Sequence, residues 1–152
     1  MIRVRPAVAC LLLAAGCAIA PLTATVVDGD TLRLTDGRLV ETVRVWGIDA
    51  PEMDQPGGKE ARAELARLCG PPAPIKLERR GKDARGRTVA RVSCGGEDAG
   101  LAMIVAGLAW AYTRFSPPPD YLEAEQAAIA ARRGIWHAGN AVPPWDWRGT
   151  KR

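Results

Sequence analysis

A single histidine, His137, stands among the 152 residues. An imidazole-based zinc site needs more than one, and the cysteines show no metal-knuckle spacing, so zinc chemistry is disfavoured. The same scarcity removes a serine–histidine–aspartate arrangement, because no placed base is on offer. His137 itself, beside Trp136, reads as a surface or packing residue. No apolar run reaches the roughly 20 residues that span a bilayer. Net charge is only +4, and Arg3 and Arg5 supply two of those charges. Bulk charge alone therefore does not mark a polyanion binder. There is no internal repeat and no low-complexity linker, and the length suits one domain after a leader.

The leader is residues 1–20. Arg3 and Arg5 precede an apolar stretch from Ala7 to Ala20, the form of an export signal. Ala18-Ile19-Ala20 has a small-x-small pattern, although Pro21 follows it. Leu13 to Cys17 resembles a bacterial lipobox, which would make Cys17 a lipid anchor. The chain is expected to be exported: periplasmic, secreted or envelope-anchored. Of four cysteines, that leaves Cys69 and Cys94 in an oxidising compartment, as a candidate disulfide or as two buried thiols.

The remainder, residues 21–152, reads as one domain. Leu22–Val27, Thr31–Leu34 and Leu39–Gly47 alternate like strands and are rich in β-branched residues. Asp28-Gly29 and Asp36-Gly37 between them are hairpin turn signals, with both aspartates as turn formers. Lys59–Leu68 is a helix with Ala61, Leu65 and Leu68 inward, stopped by Gly70-Pro71-Pro72. Ile75–Arg79 and Thr88–Ser93 are two more strands around a polar loop. Asp98 caps a second helix to about Ala106, with Leu101, Ile104 and Val105 inward. Leu108–Tyr112 is a short extended piece. A third helix runs from Asp120 to Arg133 with an alanine face (Ala124, Ala127, Ala128, Ala131). Trp136, Trp145 and Trp147 lie in a docked tail. Five strands with three helices fit an α+β, mainly β fold: a five-stranded OB-type Greek-key barrel with three packed helices.

Chemistry gathers in residues 28–52. Two carboxylate pairs, Asp28/Asp30 and Asp49/Glu52, flank Arg44, and hairpin pairing brings Asp30 toward Asp49. Carboxylates converging with an arginine suit a phosphate ester and a hard metal ion. Between Lys76 and Arg91 seven basic residues form a local patch of the kind that meets polyanions.

Three segments, VVDGDTLRL at Val26–Leu34, VRVWGIDAPE at Val43–Glu52 and KDARGRTVARV at Lys82–Val92, resemble the staphylococcal nuclease family. GLAWAY at Gly107–Tyr112 and Gly134–Trp136 agree with its later elements. The resemblance implies calcium held by Asp30, Asp49 and the backbone carbonyl of Ala50. It implies phosphate-binding Arg44 and Arg87, with Glu52 acting on the attacking water. Arg85 stands where the family has a tyrosine, and Ala84 where a basic residue is usual. Arg85 and Tyr112 are candidate substrate contacts; Trp110 reads as core or as a base-stacking residue.

The function so implied is a calcium-dependent nuclease acting on DNA and RNA with low sequence preference, leaving 3′-phosphates, as a monomer with no obligate protein partner. Two rivals stand beside it. One is a catalytically inactive nucleic-acid-binding barrel; the other is an envelope protein that uses the basic patch on anionic surfaces.

Overall fold

The computed structural model describes residues 22–151. The leader, its cleavage point and Cys17 lie outside the described residues. Strands β1 (Thr23–Asp28), β2 (Thr31–Thr35) and β3 (Val40–Val45) form an antiparallel meander. After a two-residue β4 (Ile48–Asp49) come helix α1 (Gly58–Cys69), strands β5 (Ile75–Lys82) and β6 (Thr88–Cys94), and a short β7 (Glu97–Asp98). Helix α2 (Ala99–Val105), β8 (Trp110–Ala111), α3 (Pro119–Ala130) and α4 (Pro144–Gly149) complete the order. The main sheet runs β1-β2-β3-β6-β5, with β7 on β6; β4 pairs with β8 in a small second sheet. The fold is α+β, mainly β, with the five long strands where sequence alternation placed them.

Both turns behave as aspartate turns, in different ways. Asp28 pairs with Thr31 across β1 and β2, so Gly29 and Asp30 form the turn itself. Asp28 then accepts the Asp30 N–H at 3.1 Å. At the next turn, Asp36 Oδ1 accepts the N–H groups of Arg38 and Leu39, both at 2.8 Å. Gly29 is required by contact rather than by dihedral. A Cβ there would lie 2.7 Å from the Cβ atoms of both Ala50 and Ala61, so the turn is seated directly on α1.

The connection from β3 is a parallel pairing with β6, in which Arg44 faces Val89. The core between sheet and helices holds Leu32, Leu34, Val43, Val45, Leu65, Met103 and Ile104, all at or below 1 % exposure. Apolar area of this kind contributes about 25 cal/mol per Å2 removed from water. On α1 the expected face, Ala61, Leu65 and Leu68, is the buried one. Cys69, at the end of that helix, is joined to Cys94 at the end of β6, with their Cα atoms 5.0 Å apart.

Three expectations are corrected. On α2 Met103 turns inward with Ile104, Leu101 is half-buried, and Val105 is 43 % exposed. The helix is only seven residues long, and its last turn overhangs the core. On α3, Ala128 and Tyr121 are buried while Ala127 and Ala131 face solvent. The anchor is Tyr121, fully buried, whose hydroxyl donates to Asp98 Oδ1 at 2.8 Å. That helix ends at Ala130, because Arg132 and Gly134 both take positive φ. The tail also contains a fourth helix, α4, begun by Pro144 in the first-turn position that tolerates a missing N–H. Among the described residues, no helix is long and apolar enough to cross a membrane.

Candidate active site

Arg44 sits at the centre. Strand alternation sets it opposite Val43 and Val45, on what would be a solvent face, yet it is 8 % exposed. Its NH1 donates to Asp30 Oδ1, and its NH2 donates to Asp49 Oδ1 at 2.7 Å. Asp30 and Asp49 are 4 % and 0 % exposed. Charges this deep are tolerable only when every partner is satisfied. Asp30 meets that condition: Oδ1 also accepts the Thr31 hydroxyl at 3.0 Å, and Oδ2 accepts the Ala50 N–H at 2.9 Å. Turn, strand and β4 are thereby locked to one another.

The electrostatics follow from this crowding. Burial alone would raise the Asp30 pKa, but Arg44 and the donors on both oxygens hold it below the ordinary carboxylate range. Asp49 is pushed up, by burial first and also by the nearby charge of Asp30, against the pull of its two arginines. Burial and the same neighbour push Asp28 up to about 6. Burial opposes the charge of Arg44, yet Asp30 and Asp49 more than offset it and raise its pKa.

Glu52 follows β4 across Pro51. Its own N–H donates to the Gln55 side chain at 3.1 Å, which shapes the turn into α1. Gly58 opens that helix because a Cβ there would lie 1.9 Å from the Glu52 carbonyl oxygen. Arg87 enters from the β5–β6 loop. Asp83 Oδ2 accepts its Nε–H at 2.7 Å, and NH1 reaches Thr31 Oγ1 at 3.3 Å. Thr31 therefore links Arg87 to Asp30.

These side chains border a cleft of about 650 Å3 whose lining includes Asp30, Arg44, Glu52, Arg85, Arg87 and Tyr112. Ala50 lines it as well. Arg85 is exposed at the rim. The Tyr112 ring packs edge-on to Phe115, with centroids 5.0 Å apart, and lies 5.6 Å from Trp145. Asp49 is the exception among the expected residues: it is fully covered and reaches the cleft only through its partners. Trp110 is core, 6 % exposed and edge-on to Trp136. His137 is on the surface. The basic patch divides, since Arg79, Arg80, Arg87 and Arg91 each pair with an acid.

Two arginines of the cleft lining, Arg114 and Arg148, escaped the sequence reading. Arg148, on α4, donates to Asp49 Oδ2 at 2.7 Å and to Glu52 Oε1 at 2.6 Å. No spacing or motif links position 148 to position 49. The only local signal was the Pro143-Pro144 helix start.

The donor set can be tested for a hard cation. Asp30, Asp49 and the peptide of Ala50 offer oxygen alone, which is the preference of calcium. Burial first, and then the charge of Asp30, raises the pKa values of Asp28 and Asp49, so added positive charge would be welcome there. Among the described residues no three histidine, cysteine or acidic side chains converge into a metal-holding group, so waters would have to complete the shell. On donor chemistry, the residues fit.

Residues 42–138 match the family described as staphylococcal nuclease homologue. The chain belongs to this family. Within the matched span lie Arg44, Asp49, Glu52, Arg87 and Tyr112; Asp30 precedes it and Arg148 follows it. An uncharacterized endonuclease of Haemophilus influenzae is 39 % identical over 122 residues, covering 80 % of this chain and 68 % of that one. Another from Escherichia coli O157:H7 is 32 % identical over 128 residues, covering 83 % and 82 %. A probable staphylococcal-like nuclease of Oryza sativa subsp. japonica is 37 % identical over 110 residues, 72 % of this chain but 30 % of the plant protein. The chain thus spans under a third of that plant relative and more than two thirds of the two bacterial ones. In this staphylococcal nuclease homologue, Arg44 on β3, Asp49 on β4 and Arg87 on the β5–β6 loop all fall inside the matched residues.

Proposed function

We propose that this protein is an exported, calcium-dependent nuclease that hydrolyses phosphodiester bonds of DNA and RNA with low sequence specificity. The observation that carries the reading is the buried Asp30–Arg44–Asp49 assembly, which opens on one cleft shared with Glu52 and Arg87. The endonuclease names of its bacterial relatives support the same reaction class.

Asp30, Asp49 and the Ala50 carbonyl would hold the calcium, which when bound supplies Lewis-acid polarisation of a phosphoryl oxygen. Arg44 and Arg87 bind the scissile phosphate from two sides, as planar forks that stay charged at any working pH. Glu52 takes a proton from the water whose oxygen forms the new bond to phosphorus. Water then returns a proton to the departing sugar oxygen as the old P–O bond breaks. Contacts of this kind read phosphate rather than base edges, which accounts for weak sequence preference. Tyr112 and Arg85 at the rim offer a ring face and a charge to the neighbouring nucleotide.

Export rests on the basic, apolar leader and is supported by the Cys69–Cys94 bridge, which persists in oxidising compartments. Cys17 is the proposed lipid attachment point if the chain is anchored, and the protein is proposed to act as a monomer.

The deciding experiment is hydrolysis of single-stranded DNA, double-stranded DNA and RNA, with calcium and with a chelator. Cleavage should vanish with the chelator and in Asp30→Ala. Glu52→Gln should lower kcat by about 10²–10⁴. Folded protein that binds DNA but cleaves nothing under any divalent metal would make it a binding module instead.

A further inference from the structure

Arg148 bridges two carboxylates assigned different tasks above. Its NH2 lies 2.7 Å from Asp49 Oδ2, and its NH1 lies 2.6 Å from Glu52 Oε1 and 3.4 Å from Asp49 Oδ1. With Arg44 on Oδ1, both oxygens of Asp49 are then occupied by guanidinium groups. Each carboxylate oxygen has a second acceptor site, but Asp49 is fully covered, so a cation reaches it only when one of the two arginines moves aside.

Which arginine yields is decided by burial. Arg44 has 10 % of its side chain exposed and is held by two buried acids and the Ile48 carbonyl. Arg148 has 38 % exposed, whereas the Asp49 side chain beneath it has 1 %. Arg148 stands at the cleft mouth and has solvent to swing into. Its helix need not move. Trp145 packs against Trp110 and Tyr112, and Gln55 Nε2 donates to the Val142 carbonyl at 2.6 Å. Lys151, just past the helix, pairs with Asp54. The side chain can leave Asp49 while α4 stays docked.

We propose that Arg148 is a third phosphate-binding arginine of this site, kept on Asp49 and Glu52 until a divalent cation takes its place on Asp49. The proposal rests on the calcium-dependent reading above. In the cation-free protein Arg148 neutralises Asp49 and holds Glu52 Oε1. Once displaced, it remains within the same cleft as Arg87 and turns its free N–H groups to phosphate oxygens. Cation binding thereby frees Glu52 Oε1 and adds a phosphate donor in a single exchange.

The test is calcium titration by calorimetry of the metal-stripped protein, its Arg148→Gln variant and its Arg148→Lys variant. In the wild type, the ¹⁵N–¹H signal of the Arg148 side chain is followed alongside. The exchange predicts about tenfold tighter calcium binding in Arg148→Gln, the ratio that corresponds to about 1.4 kcal/mol. Arg148→Lys should fall between the two, and the wild-type signal should shift with the calcium Kd. Despite tighter calcium, kcat/KM on DNA should fall about 10²-fold in Arg148→Gln, the scale of losing one transition-state donor. Equal or weaker calcium affinity in Arg148→Gln, with an unmoved wild-type signal, overturns the exchange and leaves the calcium-dependent reading intact. Undiminished kcat/KM in that variant overturns the phosphate role. Absence of calcium binding in every form overturns both the proposal and the reading beneath it.

Discussion

Asp83 holds Arg87 twice: one carboxylate oxygen accepts its backbone N–H at 2.9 Å and the other accepts its Nε–H at 2.7 Å. The guanidinium is left with its outer edge toward Thr31 and the cleft. Asp83→Asn keeps an acceptor for the backbone but loses the one for Nε, so it separates loop shape from side-chain aim. Activity on DNA should fall about tenfold in Asp83→Asn and further in Asp83→Ala, with circular dichroism melting nearly unchanged in the first. Equal losses in both would mean that the loop, not the aim, matters.

Gly29 packs where no side chain fits. Gly29→Ala drives a methyl against Ala50 and Ala61, and overpacking of this kind costs about 1–3 kcal/mol. The next residue is Asp30, so relieving the clash shifts a central carboxylate. Urea melts should show the destabilisation, and activity measured well below the midpoint should also drop. A stable and fully active Gly29→Ala would show that the turn and α1 separate easily.

The Cys69–Cys94 bridge closes a separation of 25 residues. Loop-closure entropy for that length is about 3.5 kcal/mol at room temperature. Melting with and without reductant, or of Cys69→Ser with Cys94→Ser, should differ by several degrees or more. An unchanged midpoint would show that the pairing contributes nothing to stability.

Glu125 supplies a pH test at a carboxyl that does not line the cleft. Its Oε1 accepts the Ala111 N–H at 2.9 Å, and burial pushes its pKa above the ordinary 4.5. A carboxyl with a raised folded-state pKa favours the protonated form on folding. Its cost to stability is therefore full above the folded pKa and disappears as pH falls through the folded value toward 4.5. Glu125→Gln keeps the acceptor and removes the charge. It should melt higher than wild type at pH 7, with the gap closing below pH 4.5; a gap independent of pH would assign the effect to packing.

The sequence was most legible where function and local geometry coincide. Asp30 lies in a turn that its own neighbourhood encodes, and Asp49 and Glu52 follow a strand that a proline must end. The depth of Arg44 was not legible. Alternation sets it on the face opposite the valines, and only the parallel β3–β6 pairing together with β4 covers that face. Val105 misled because α2 is only seven residues long, and Met103 took the inward place. On α3 the buried Tyr121, bonded to Asp98, sets which face packs. Arg148 was invisible because its partners are 96 and 99 residues away, and no periodicity spans such a distance.

The cleft is assembled from pieces at residues 28–31, 44–52, 83–87, 112–115 and 148. During synthesis the chain meets these in order, and the last is separated from the first by nearly the whole domain. A nascent chain can build the meander and seat Asp30 beside Arg44 early, but Asp49 and Glu52 have their second guanidinium only after residue 148 has been added. Until then, the carboxylates of Asp49 and Glu52 stand in a half-built wall, open to water and to whatever cation the surroundings offer.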